Sequence, residues 1–177
     1  MDKSERQSNK HNVDITKVTL NVTYLSLLLG IGAPAALLLA GYVMDAPDRH
    51  RFQDPAHEEL FFWLLIGLSV AESLAAIMLK KRLFARPMIL SETSFAQDFA
   101  AGMRTNSLTI FVVVDAIAVY GLSFFLLGGN LDGLALFCIF SVVAFQLVRP
   151  RAGFVEQILE RQERLVAEGK LATRRER

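Results

Sequence analysis

Four apolar runs, Leu20 to Met44, Leu60 to Leu79, Ser107 to Leu127 and Leu131 to Val148, take up nearly half of the chain and contain no lysine or arginine. Each is close to the ~17 to 25 residues that an α-helix needs to cross the hydrocarbon core of a bilayer. Hydrocarbon offers no hydrogen bonds, so a run that enters it must satisfy its own backbone groups, and a helix does so within one segment. The sequence therefore predicts an all-α, polytopic membrane four-helix bundle. Overall composition conceals this, because 21% charged residues and a formal net charge of +1 would also suit a water-soluble protein. The distribution of those charges decides the class.

Lys and Arg number four before the first run, two between the first and second, five between the second and third, none in the third turn and eight after the fourth. Seventeen thus fall on one side of the expected membrane and two on the other. Cytoplasmic loops retain Lys and Arg. Both termini and the segment Lys80 to Asn106 are accordingly expected in the cytoplasm of a bacterial inner membrane, and Asp45 to Glu59 and the turn at Gly128 outside. The expected partition is a flexible cytoplasmic tail over residues 1–16, a four-span domain over 17–149 and a charged cytoplasmic helix over 150–177. The first run starts only at Leu20, is long and lacks a small-residue cleavage pattern, so it reads as a retained helix rather than a signal peptide. A single cysteine, Cys138, excludes an intramolecular disulfide and reads as a packed or lipid-facing thiol.

Along the chain, Gly30, Gly32, Pro34 and Gly41 give the first helix small faces suited to close packing, with a kink expected at Pro34. Pro47 and Pro55 are expected to break regular structure in the acidic first loop. There His50 and His57, with carboxylates nearby, are weak metal-ligand candidates whose spacing matches no compact site. Phe61, Phe62 and Trp63 read as an interfacial aromatic cluster. Ser91 is placed to start a helix. The spacing of Phe95, Phe99 and Met103 predicts that this helix begins in the cytoplasm and runs for about 35 residues through the third span. Gly128, Gly129 and Asn130 predict a tight hairpin that forces the third and fourth helices side by side. After Pro150, Phe154, Ile158, Leu159, Leu165 and Val166 form an apolar stripe suited either to a solvated helix or to one lying on the membrane surface.

Two ionisable residues interrupt the spans, Glu72 and Asp115. A carboxylate near a helix centre costs ~2.5 to 3.5 kcal/mol to insert, so such residues usually face a bundle interior. Glu72 lies seven residues from the cytoplasmic end of its run and Asp115 eight from that of its own, about 10 and 12 Å along a helix. At similar depth they are a candidate pair, either joined by a structural hydrogen bond or handling a proton or ion. Ser73 and Tyr120 are the first candidates to assist them, with Ser69, Thr109, Ser123, Tyr24, Ser26 and Thr23 behind.

The stretch VVVDAIAVYGLSFFLLGG around Asp115 resembles the carboxyl-bearing helix of rotary ATPase c-type proteolipid subunits, in which an acidic residue precedes a small residue, an aliphatic pair and Tyr-Gly-Leu. The resemblance covers one helix and implies that Asp115 holds the place of an ion-binding carboxylate, in an oligomer engaged in ion transport. In layout the chain looks like small, uncharacterised four-helix bacterial inner-membrane proteins that share this helix, the Gly-Gly turn and an Arg-Pro-Arg after the fourth span. No phosphate-binding loop, nucleophile elbow or paired-cysteine motif is present, so neither enzymatic activity nor a cofactor is expected. The expected partners are the lipid bilayer and either further copies of the chain or a larger membrane complex, and no nucleic acid. The expected role is that of an accessory or assembly component, the alternative a proton- or ion-handling subunit.

Overall fold

The structure, a computed structural model, describes residues 13–45 and 54–172, and every regular element among them is helical. These are α1 (Ile15–Met44), α2 (Pro55–Ala85), α3 (Phe95–Leu126), α4 (Leu131–Val148) and α5 (Ala152–Ala167). The first four are long and apolar enough to cross a membrane. α1 and α2 both begin earlier than their apolar runs because polar residues cap them. Asp14 accepts from the Lys17 N–H at 2.9 Å, and Asp54 accepts from the Ala56 N–H at 2.9 Å. Pro55, expected to break structure, instead opens α2, where its missing N–H would have had no helical partner. Glu58 then sits in the first turn, favourably placed against the helix dipole. A 3₁₀ turn at Glu92–Ser94, capped by Ser91, leads directly into α3. The helical stretch Glu92–Leu126 thus has the 35 residues expected of it.

The described residues fall into two compact units. The first gathers residues 13–23, 81–107 and 150–172. Its core is apolar: Phe84, Phe95, Phe99, Met103 and Val155 are buried, with the Phe95 and Phe99 rings stacked at 6.4 Å. The apolar stripe of α5 packs inside this unit. Val155, Ile158 and Val166 are buried, and the Phe154 ring meets Phe84 edge-on at 5.3 Å. Pro87 ends α2 and leaves the backbone around it without helical partners. Gln162, fully buried, supplies them: its Oε1 accepts from the Met88 N–H at 2.9 Å and its Nε2 donates to the Arg86 carbonyl at 3.0 Å.

The second unit holds residues 24–80 and 108–149. α3 and α4 pack as the antiparallel pair that the short turn requires. Gly128 takes a φ of 112°, which only glycine adopts without strain, and the Gly129 N–H returns to the Phe124 carbonyl at 3.0 Å. Asn130 then caps α4 by accepting from the Gly133 N–H at 2.7 Å. Further along the pair, the Phe111 and Phe145 rings approach to 4.5 Å and the Ser141 hydroxyl donates to the Val114 carbonyl at 3.3 Å. α1 packs on α4 through its small residues: the Phe145 ring fills the space left by the absent Cβ of Gly30, and Leu134 does the same at Gly41. A π-helical turn at Leu28–Gly32 precedes Pro34 and accommodates the proline that the sequence marks for a kink. The Cys138 thiol is packed, donating to the Pro34 carbonyl at 3.5 Å. Of the aromatic trio on α2, only Trp63 points outward. Phe61 and Phe62 turn inward onto Phe124, because two of three consecutive helical positions fall on the packed face.

The outer surface of this second unit is apolar. Of the large hydrophobic side chains left exposed among the described residues, all but Leu20 and Leu171 belong to it, including Leu28, Val43, Trp63, Met78, Ile139 and Leu147. Each would gain ~1.5 to 3 kcal/mol by leaving water, so a surface of this kind is stable only against hydrocarbon.

The packing predicts opposite outcomes at two glycines. Gly30→Ala sets a methyl group against Phe145 and is expected to destabilise the detergent-solubilised protein by ~1 to 3 kcal/mol. Gly67→Ala, where an added Cβ meets nothing, is expected to be neutral or to stabilise by up to ~1 kcal/mol through helix propensity. Thermal unfolding in a mild detergent reads both, and equal shifts at the two positions would contradict the α1 packing described.

Candidate functional site

The side chains carrying the most chemistry in the second unit are the carboxyls of Glu72 on α2 and Asp115 on α3. Glu72 stands on the half-buried side of α2, within a turn whose two serines, Ser69 and Ser73, are engaged. Ser69 Oγ donates to the Leu65 carbonyl and Ser73 Oγ to the Ser69 carbonyl, both at 2.8 Å. Each hydroxyl thus spends its only proton on its own helix, and Ser73 has none left to give Glu72. The partner of Glu72 comes from α3: the Tyr120 hydroxyl donates to Glu72 Oε1 at 2.5 Å. The second oxygen, Oε2, is buried without a hydrogen-bond partner.

Asp115 stands apart from this pair. It precedes Tyr120 by five residues, which on a helix is about 7.5 Å of rise and about 140° of rotation, so the two side chains leave α3 in different directions. Its Oδ1 is likewise buried and without a partner. The structure therefore joins Glu72 to Tyr120 by a hydrogen bond and shows none between Glu72 and Asp115. Depth counted along a run carries no information about the face on which a residue falls, and the rotation between residues 115 and 120 is what separates them.

The remaining candidates serve the packing or the surface. Ser123 Oγ donates to the Val119 carbonyl at 2.9 Å, Ser26 is buried, and Tyr24 is exposed on the apolar exterior. His57 lies at the exposed start of α2, where its Nδ1 approaches Asp54 Oδ2 at 3.2 Å, a local contact across three residues. His50 lies outside the described residues. Among the described residues no three histidine, cysteine, aspartate or glutamate side chains converge as a metal site would require. Sequence reasoning missed Gln162, the residue that organises the chain around Pro87. Its signal was present, since it occupies the position between Ile158 and Val166 on the α5 stripe, a polar residue exactly in phase with an apolar face.

Chemically, the arrangement amounts to a phenol bound to a carboxyl, and a second carboxyl with no satisfied acceptor, all within apolar helices. Such groups can hold or pass a proton, or accept a donor from elsewhere. No family model, curated protein or solved structure matches the chain.

The Tyr120 to Glu72 hydrogen bond is open to a double-mutant cycle. Tyr120→Phe is expected to destabilise by ~0.6 to 2 kcal/mol, the range for interhelical hydrogen bonds in membranes, and to have no further effect once Glu72→Ala is present. Additive losses in thermal unfolding of the double variant would show that the two side chains do not interact.

Proposed function

We infer that the chain is a non-enzymatic, multi-pass protein of the bacterial inner membrane, with both termini cytoplasmic, acting as an accessory or assembly component of a larger membrane complex. The observation that carries this reading is the make-up of the first unit. Its three segments, residues 13–23, 81–107 and 150–172, are those rich in Lys and Arg, which the positive-inside rule assigns to one side of the membrane. Such segments pack on one another only if they share a compartment, so the fold supports a common side for all three, and the charge bias supports that side being the cytoplasm. The unit they build has an apolar core and a charged exterior, with Glu156, Glu160, Arg161, Glu163 and Arg164 exposed along α5. A small, charged, folded cytoplasmic body on a membrane anchor suits binding to other proteins, and its charges give such an encounter specificity. Reporters fused after Leu171 and within the segment 46–53 test the orientation: fluorescence of the first and periplasmic phosphatase activity of the second are expected, and the reverse would overturn it. Capture from native membranes in mild detergent tests the role. A co-purifying membrane protein that is lost when Glu156, Glu160 and Glu163 are changed together to lysine supports it, and a chain recovered alone after crosslinking in cells contradicts it.

A second reading is favoured by two carboxyls that each keep one buried oxygen without a hydrogen-bond partner, Glu72 Oε2 and Asp115 Oδ1. In it, Asp115 and the Glu72–Tyr120 pair handle protons or ions in the manner of the proteolipid subunits that the α3 sequence resembles. Dicyclohexylcarbodiimide enters hydrocarbon and modifies carboxylic acids there. This reading predicts labelling that Asp115→Asn abolishes, and absence of labelling at both Asp115 and Glu72 near neutral pH would remove it.

A further inference from the structure

One strip of α4 joins a cavity to a cation without a counter-ion. Between α1 and α4 lies an open cavity of about 270 Å³, lined by Pro34, Ala35 and Leu38 on one helix and by Ala135, Ile139 and Val142 on the other. Its walls are almost wholly apolar, and the Cys138 thiol among them is already engaged by the Pro34 carbonyl. Gln146 and Arg149 continue the strip of Ala135, Ile139 and Val142 at spacings of four, three, four and three residues, which keeps all five within about 80° of arc. Gln146 is exposed, and Arg149 is half-buried where α4 ends, its Nε inside the packing without a partner. Neither the Gln146 amide nor the Arg149 guanidinium forms a hydrogen bond or ion pair among the described residues. Burial of Nε leaves the edge of the guanidinium that carries the terminal nitrogens for a partner from outside the chain.

We propose that this strip seats one anionic glycerophospholipid, its phosphate on Arg149 and Gln146 and one acyl chain in the cavity. Charge and depth select the occupant. Arg149 stands where α4 leaves the hydrocarbon, at the level of the lipid phosphates, and a guanidinium binds phosphate through parallel N–H donors. Gln146 adds an amide donor about 4.5 Å deeper along the helix. The cavity begins at Val142, about 10 Å from Arg149, and extends to Ala135 at about 21 Å, while half of a hydrocarbon core measures ~15 Å. A chain rooted at Arg149 thus enters it from the same leaflet. At the ~30 Å³ of a water-sized group, the cavity takes about nine methylenes. A helix about 10 Å across is too wide for it, and water gains nothing from walls without hydrogen-bond partners. A hydrocarbon without a headgroup would leave the guanidinium without an anion. The proposal rests on the membrane-spanning reading of the second unit, which the experiment below tests apart from it.

The experiment is fluorescence quenching by brominated lipid in vesicles holding the full chain, on a Trp63→Phe background that removes the only tryptophan. Val143→Trp reports from the rim of the cavity and Leu74→Trp from an exposed position on α2. The vesicles are phosphatidylcholine with a minor share of phosphatidylglycerol, and the bromine is carried on the acyl chains of one lipid or of the other. Phosphatidylglycerol is expected to be enriched about fivefold over its share of the bilayer at Val143→Trp, the ratio equivalent to the ~1 kcal/mol of one arginine near anionic lipid, and not at Leu74→Trp. Arg149→Gln is expected to remove the enrichment, and Ala135→Phe, which fills the cavity, to lower it. The comparison of the two reporters keeps Arg149 intact, so it stands even where Arg149→Gln fails to fold. No enrichment at Val143→Trp, an enrichment that Arg149→Gln leaves unchanged, or one that inorganic phosphate abolishes at constant ionic strength would overturn the proposal. So would quenching at Leu74→Trp with none at Val143→Trp, which would put a protein over the cavity. Absence of quenching at both positions would remove the membrane-spanning reading, and the proposal with it.

Discussion

The absence of any hydrogen-bonding solvent around residues 24–44, 60–80, 108–127 and 131–148 governs this structure. Backbone amides in hydrocarbon must be satisfied inside their own segment, which makes each run a helix before any tertiary contact forms. Side chains respond to the same solvent. Leucine, valine and isoleucine remain on the outside of the second unit because lipid tails are as apolar as they are, and nothing is gained by hiding them. Polar groups respond in the opposite way. Ser69 and Ser73 return their protons to carbonyls one turn back, Cys138 and Ser141 reach backbone oxygens on neighbouring helices, and Tyr120 binds Glu72. Asp115 is left over, its Oδ1 buried without a hydrogen-bond partner.

A consequence is that the two units are held together by different forces. In the second, helices gain little from burying apolar surface, so contact depends on fit: Phe145 into the space at Gly30, Leu134 at Gly41, Phe124 against Gly129 and Gly133. In the first, Phe84, Phe99, Met103 and Val155 form a buried apolar core. Buried polar groups there act as joints. Asp98 accepts from the Leu90 N–H at 3.0 Å and from the Ser94 hydroxyl at 2.8 Å, and Gln162 binds both sides of Pro87. Two polar residues thereby fix a chain reversal that contains little regular structure.

The spans, the hairpin and the length of the third helical stretch were legible in the sequence because each rests on a local rule: run length, a Gly-Gly-Asn turn and the four-residue spacing of Phe95, Phe99 and Met103. Helix starts were less so, since Asp14 and Asp54 look like any other charge in a polar segment until a helix is known to follow. The candidate site was legible by composition but not by geometry. Glu72, Tyr120, Ser73 and Asp115 stand out as polar residues in apolar runs, yet which of them meet depends on the rotation of one helix against another. Only Tyr120 faces Glu72. The compact first unit is hidden because its core is divided among three segments, none of which carries enough apolar residues to announce a fold.

Solvation of the second unit by hydrocarbon is the claim on which the rest stands, and site-directed labelling measures it directly. Single cysteines placed at Leu28, Met78, Val143 and, as water-facing controls, at Glu156 and Arg161 can be exposed in membranes to a charged, membrane-impermeant maleimide supplied to both faces. The account predicts that Glu156→Cys and Arg161→Cys react while the three apolar positions react only after denaturation. Rapid labelling at Leu28, Met78 and Val143 in the native membrane, at rates matching the controls, would mean that water rather than lipid bathes these helices and would contradict it.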